Sequence, residues 1–143
     1  MNNEWIIEGL ITYFQENGYT ITLPEERTEW KDYHFHVNND NFTIKLGNEI
    51  QTFQFNCQIT IHTNGTILLR YPFILSDIEL KSKWEIYESI NHFHQRILLS
   101  RIYYKEDVSE FCAEYLWQTF DPSQLTQILQ ILRLEIDAFA NNI

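Results

Sequence analysis

Glycine and proline are scarce in this 143-residue chain, at four and three residues, and neither clusters. That leaves no linker, low-complexity tract or composition boundary at which to divide the sequence, so residues 1–143 read as a single domain. Cysteine is nearly absent. Cys57 and Cys112 stand far apart and fit no CxxC or zinc-ligand spacing, which argues against a disulfide framework and suits a reducing, cytoplasmic compartment. Basic residues are few and scattered, ten Lys and Arg against twenty Asp and Glu, for a formal charge of −10. A surface of that sign repels nucleic-acid phosphates and anionic lipid, both of which are held by clustered cations. No apolar run approaches the roughly 20 residues that span a bilayer. The chain opens on Asn2, Asn3 and Glu4 instead of a basic segment ahead of an apolar one, so neither export nor membrane insertion is expected.

The common catalytic signatures are missing as well. There is no GxGxxG, GxxxxGK, HExxH or GxSxG, and phosphate cradling, zinc hydrolysis and nucleophile-elbow chemistry each need those residues at those spacings. No cofactor is expected.

What the chain does have is apolar material, 44% hydrophobic and 15% aromatic, ample for one core. Ile6, Ile7, Leu10, Tyr13 and Phe14 share one helical face, and Asn17-Gly18 supplies a left-handed stop. A short strand is expected within Tyr19 to Leu23, followed by a loop through Pro24 and the charged run Glu25-Glu26-Arg27. From Tyr33 to Ile74 the period becomes two. Tyr33, Phe35 and Val37 alternate with His34 and His36, Phe42, Ile44 and Leu46 alternate with Thr43 and Lys45, and Asn38-Asn39-Asp40 reads as the hairpin turn between them. Phe53, Phe55, Cys57, Ile59 and Ile61 then point one way, with Gln54, Asn56, Gln58, Thr60 and His62 pointing the other. Asn64-Gly65 predicts a type I′ turn into a partner strand over Thr66 to Phe73. Helical spacing returns between Asp77 and Arg96, where Ile86, Tyr87, Ile90, Phe93 and His94 share a face. Ile97 to Tyr104 and Val108 to Phe120 predict a second hairpin around Lys105-Glu106-Asp107. Asp121 as N-cap, Pro122 at the first helical position and Gln124 as capping-box partner open a last helix running to about Asn141.

The predicted class is therefore α+β: an antiparallel sheet of five or six strands with an N-terminal, a middle and a C-terminal helix, in the order α-β-β-β-α-β-β-α. In the segment from Glu85 to Phe139, the pattern Ile90-Asn91-x-x-x-Gln95 leads into a strand pair, Asp121-Pro122 caps the last helix, and that helix ends near Ile136-Asp137-Ala138-Phe139. That arrangement resembles YbjN-like proteins and the wider type III secretion chaperone-like fold. The resemblance covers the C-terminal half and, through element order, the N-terminal half. It implies a small acidic domain, often homodimeric, that holds another polypeptide or has a regulatory role, and it brings no catalytic or ligand motif.

Among side chains that could carry chemistry, His34 and His36 stand two apart on a strand, a spacing able to hold a metal, with His62, His92 and His94 available to complete a site. Alternating polar positions also carry histidine with no ligand role, and no acidic or cysteine ligand is tied to this pair. His94 falls on the apolar helix face and reads as a hydrogen-bonded core residue. Cys57 alternates inward as an inert thiol, whereas Cys112 alternates outward and is the more exposed of the two. On the last helix, Leu125, Ile128, Leu129, Leu132, Ile136 and Phe139 form the stripe that faces the sheet. Ile131, Leu134 and Ala138 form a second apolar strip, which is covered by a loop, left as singly exposed apolar residues, or presented as a dimer or client interface. Trp5 and Trp84 lie off the apolar faces of their helices and either pack under neighbouring loops or mark an interface.

These features favour a non-enzymatic protein-binding domain, chaperone-like or regulatory, acting as a homodimer with a protein client through helical surfaces. Two other classes compete: an acidic decoy that inhibits a basic nucleic-acid-binding protein, which would need carboxylates clustered on one face, and a small-molecule or metal-dependent enzyme, which would need a deep polar pocket.

Overall fold

The computed structural model describes residues 3–23, 32–96 and 98–143. Its elements are α1 (Glu4–Glu16), β1 (Thr20–Thr22), β2 (Tyr33–Leu46), β3 (Glu49–Ile61), β4 (Ile67–Phe73), α2 (Lys83–His94), β5 (Arg101–Lys105), β6 (Glu110–Trp117) and α3 (Leu125–Asn142), with 3-10 turns at Ile78–Leu80 and Pro122–Gln124. The strands form one six-stranded antiparallel sheet in the order β1-β2-β3-β4-β6-β5. This is the α+β class and helix placement the sequence predicts. No helix among the described residues is long and apolar enough to cross a membrane. The loop expected at Pro24 and Glu25-Glu26-Arg27 lies outside the described residues.

The chain divides into two compact units, Met1–Leu69 with Leu116–Leu125, and Arg70–Tyr115 with Thr126–Ile143. In the first, α1 buries Ile6, Ile7, Leu10 and Phe14, four residues of its predicted face. The Phe14 ring packs on Tyr19 at 4.9 Å and Phe35 at 6.3 Å, and Tyr19 meets Phe55 edge-on at 5.7 Å. Gly18 takes the predicted positive φ of 79°, which lets the chain leave α1 and enter β1 at once.

The alternation along β2 and β3 changes phase part-way, and the structure shows why. Asn39 pairs with Phe55 while the next paired residue, Phe42, faces Phe53, so three steps on β2 match two on β3. This bulge shifts the buried parity from the odd residues Phe35 and Val37 to the even residues Phe42 and Ile44. The Asn41 N–H donates to Asn39 Oδ1 at 3.0 Å within it. Asn38-Asn39-Asp40 is thus a bulge inside one 14-residue strand, not the predicted turn. The reversal falls at Gly47-Asn48, where Leu46 pairs with Glu49 and Gly47 has φ 63°, as a first central position with left-handed φ demands.

The turn after β3 also differs from the expected type. Among described residues other than glycine only Asp77 and Ser109 have positive φ, so Asn64 does not supply the first left-handed position of a type I′ turn. Instead the His62 N–H donates to the Thr66 carbonyl at 2.8 Å, the Gly65 N–H donates to the His62 carbonyl at 2.9 Å, and Gly65 alone is left-handed at φ 90°. That is the three-residue loop in which glycine relieves a bulge.

In the second unit, Phe73, Phe93, Tyr104, Phe111 and Phe139 form one aromatic cluster. Phe111 is fully buried and lies 5.4 Å from Phe73, 4.7 Å from Tyr104 and 5.4 Å from Phe139 by ring centroid. Helix α2 contributes Ile86, Ile90 and Phe93 to the interior, and a Ser82–Glu85 capping box that the sequence reading missed opens it. The predicted stripe of α3 is buried at every position named, from Leu125 to Phe139. Its Asp121 cap takes the Ser123 N–H at 3.1 Å and the Ser123 hydroxyl at 2.8 Å, so the cap partner is Ser123 and not Gln124, and the first turn is 3-10.

Strand β5 begins later than predicted. The Leu99 and Ser100 N–H groups each donate to the Glu135 carboxylate at 2.7 Å, and the Ser100 hydroxyl adds a third bond at 2.6 Å. Backbone donors committed to a side chain cannot serve a ladder, so the strand starts at Arg101.

Candidate functional site

The polar face of β2 and β3 is locked by its own hydrogen bonds. His34 pairs with Thr60 and places Nδ1 2.9 Å from Thr60 Oγ1. His36 places Nε2 against Asn56 Oδ1 and Nδ1 3.4 Å from Asn38 Nδ2, so both ring nitrogens face amide partners. His62 donates from Nδ1 to Asp32 at 2.9 Å, a bond that with the Thr63 N–H keeps the Asp32 carboxyl below its ordinary range. No group of three His, Cys, Asp or Glu able to hold a metal occurs among the described residues. The structure therefore places His34 and His36 in cross-strand pairs with hydroxyl and amide partners.

Cys112 departs from its expected exposure. It is 2% exposed, and its neighbours Phe111 and Ala113 are buried too, so both faces of β6 are covered here. Alternation reports which face a side chain takes, not whether that face is wet. Burial pushes the Cys112 thiol above its ordinary pKa, against the opposing pull of the Tyr103 hydroxyl. Cys57 is fully buried. Native protein should react with an aromatic disulfide reagent at either cysteine on the order of a hundredfold more slowly than protein in denaturant, with Cys57→Ser isolating Cys112. Rapid native labelling of Cys57→Ser protein would refute the burial.

His94 is hydrogen-bonded as expected but is not a core residue. The residue is exposed at the end of α2, and its Nε2 accepts the Ile102 N–H at 2.9 Å in a part-buried bond, closing a donor of β5. Partial burial, and then the Arg101 charge, lowers its pKa and keeps the accepting nitrogen unprotonated.

The second strip of α3 is neither open nor sealed. Ile131, Leu134 and Ala138 are half-buried, and no residue from Ile128 to Ala140 is exposed. The two tryptophans differ from that strip. Trp5 is 58% exposed with its ring 5.5 Å from Phe120 in the same unit, whereas Trp84 is 83% exposed. Trp84 borders a cavity of about 790 Å³ along α2, whose lining also includes Glu88, His92, Gln95, Arg96 and Phe139. Trp84, Glu88, Asn91, His92 and Gln95 fall at helical spacing, and all five are exposed, so they form one outward stripe. The stripe could have been read from the sequence, since Ile86, Ile90 and Phe93 fix the opposite, inward side.

No family model, curated protein or solved structure matches this chain, which leaves its fold, an α+β protein with a six-stranded antiparallel sheet, as the class to which it is assigned.

Proposed function

We propose that this chain is a non-enzymatic protein-binding domain, chaperone-like or regulatory, that acts as a homodimer through the outward stripe of α2. The observation that carries the reading is Trp84. A tryptophan left 83% in water forgoes a large hydrophobic gain, and tryptophan is among the residues most enriched at the centres of interfaces. The stripe is also electrostatically self-complementary. Glu88 sits at the middle of α2 and Arg96 just beyond its C-terminal end, both lining the same cavity, so two α2 helices crossed antiparallel about a two-fold axis can set the carboxylate of each copy against the guanidinium of its partner. The resemblance to YbjN-like and secretion chaperone-like proteins points the same way.

Light scattering on the purified protein tests this. The expected mass is twice the 17.3 kDa of one chain, and Trp84→Asp should halve it with no change in circular dichroism, because the side chain is already exposed. A wild-type protein that stays monomeric into the range of about 100 µM would refute the dimer, since specific interfaces of ordinary size bind more tightly than that.

A further inference from the structure

A second surface of the same unit has a different character. The connection from β4 to α2 and the β5–β6 turn enclose a groove of about 500 Å³. Ile74, Leu80 and Val108 line it at 72%, 84% and 56% exposure, three of the nine large apolar side chains exposed among the described residues. The rim carries the carboxylates of Asp77 and Glu79, and the residues lining the groove include no Lys or Arg.

The backbone around this groove is unusual too. Asp77 at φ 63° and Ser109 at φ 50° are the two described non-glycine residues in the left-handed region, and both line it, one from each wall. Side chains adopt that region reluctantly, and such strain gathers where the presented geometry matters. At Asp77 its effect is visible. The left-handed residue starts the short turn Ile78–Leu80, within which Ile78 is buried while Leu80 points outward.

We infer that this groove is a docking site for a basic amphipathic segment of a partner protein, one that presents two or three aliphatic side chains flanked by Lys or Arg. The apolar lining supplies desolvation and the two carboxylates supply the sign of the charge it accepts. The same charges disfavour a second copy of this chain, whose acidic residues outnumber its basic ones twenty to ten, as well as nucleic acid and anionic lipid. This inference rests on the protein-binding reading and names the chemistry of the client; it is independent of the dimer contact at Trp84.

Two short fluorescein-labelled synthetic peptides test it, each with leucines at helical spacing, one flanked by lysines and the other by glutamates, titrated against the full chain and followed by anisotropy. The lysine peptide should bind with a Kd on the order of 10 µM, and Leu80→Asp or Val108→Asp should each weaken it about tenfold or more. Asp77→Asn combined with Glu79→Gln should weaken it several-fold and flatten its dependence on salt. Trp84→Asp should leave the affinity unchanged, so failure of the dimer and failure of the groove are read separately. Equal binding of the glutamate peptide would overturn the inference. So would unchanged affinity in both Leu80→Asp and Val108→Asp, or a loss of molecular mass in Leu80→Asp, which would put a second copy in the groove.

Discussion

Replacing Phe111 with alanine is expected to remove about 3–5 kcal/mol of stability, the largest single-residue effect predicted for this chain. The ring is fully buried on β6 and is the hub of its cluster, stacked on Phe73, tilted against Tyr104 and edge-on to Phe139, which in turn meets Phe93 at 5.3 Å. Alanine loses the transfer energy of the ring and leaves a cavity that three other rings cannot close without abandoning their own contacts. Domains of ordinary stability have about 5–15 kcal/mol in total, so the variant stands near the limit of folding. Phe111→Leu keeps much of the volume and should cost less than half as much. Combined with Phe139→Leu it should show a coupling of about 0.5–1.5 kcal/mol, the size expected of an aromatic pair beyond its buried area. Urea unfolding of the single and double variants measures both quantities. A loss below about 1 kcal/mol in Phe111→Ala would mean that the cluster is loosely packed.

Much of the fold was legible because the hydrophobic period reports an element's type directly. Ile6, Leu10 and Phe14 mark α1, and the unbroken stripe from Leu125 to Phe139 marks α3, with every position of that stripe buried. Errors arose where two physical causes write the same pattern. A bulge and a turn both reverse the parity of an alternating strand, and at Asn38-Asn39-Asp40 the polar residues that favour turns made the wrong choice attractive. The true reversal at Gly47 rests on one backbone angle that a lone glycine permits but does not announce. Cys112 failed for a different reason, because the cover over its face of β6 is a tertiary fact with no trace in local sequence. The outward stripe of α2 was half legible. Trp84 stood off the apolar face in the sequence, but the groove walled by Asp77 and Ser109 depends on two left-handed residues that nothing in their side chains requires.

Glu135 shows how far a polar contact can shape the fold without any sequence signal, and its loss should be the second-largest effect. Glu135→Ala is expected to cost about 2–4 kcal/mol, because hydrogen bonds to a charged group are individually worth about 1.5–3 kcal/mol and three end on this one carboxylate. The bonds are not additive, since the Leu99 and Ser100 N–H groups share one geometry and water can reach a half-buried site in the variant. Glu135→Gln separates charge from shape. It keeps one accepting oxygen but turns an amide N–H towards a backbone donor, so it should recover only a small part of the loss. Ser100→Ala removes the hydroxyl bond alone and should cost about 1 kcal/mol. Hydrogen exchange identifies the mechanism more directly than stability does. If the carboxylate holds the start of β5 in place, the Leu99, Ser100 and Ile102 amides lose protection first in Glu135→Ala, while the α1 amides change only with global stability. Uniform loss of protection across the chain would instead assign Glu135 a general contribution to packing and none to the entry of β5.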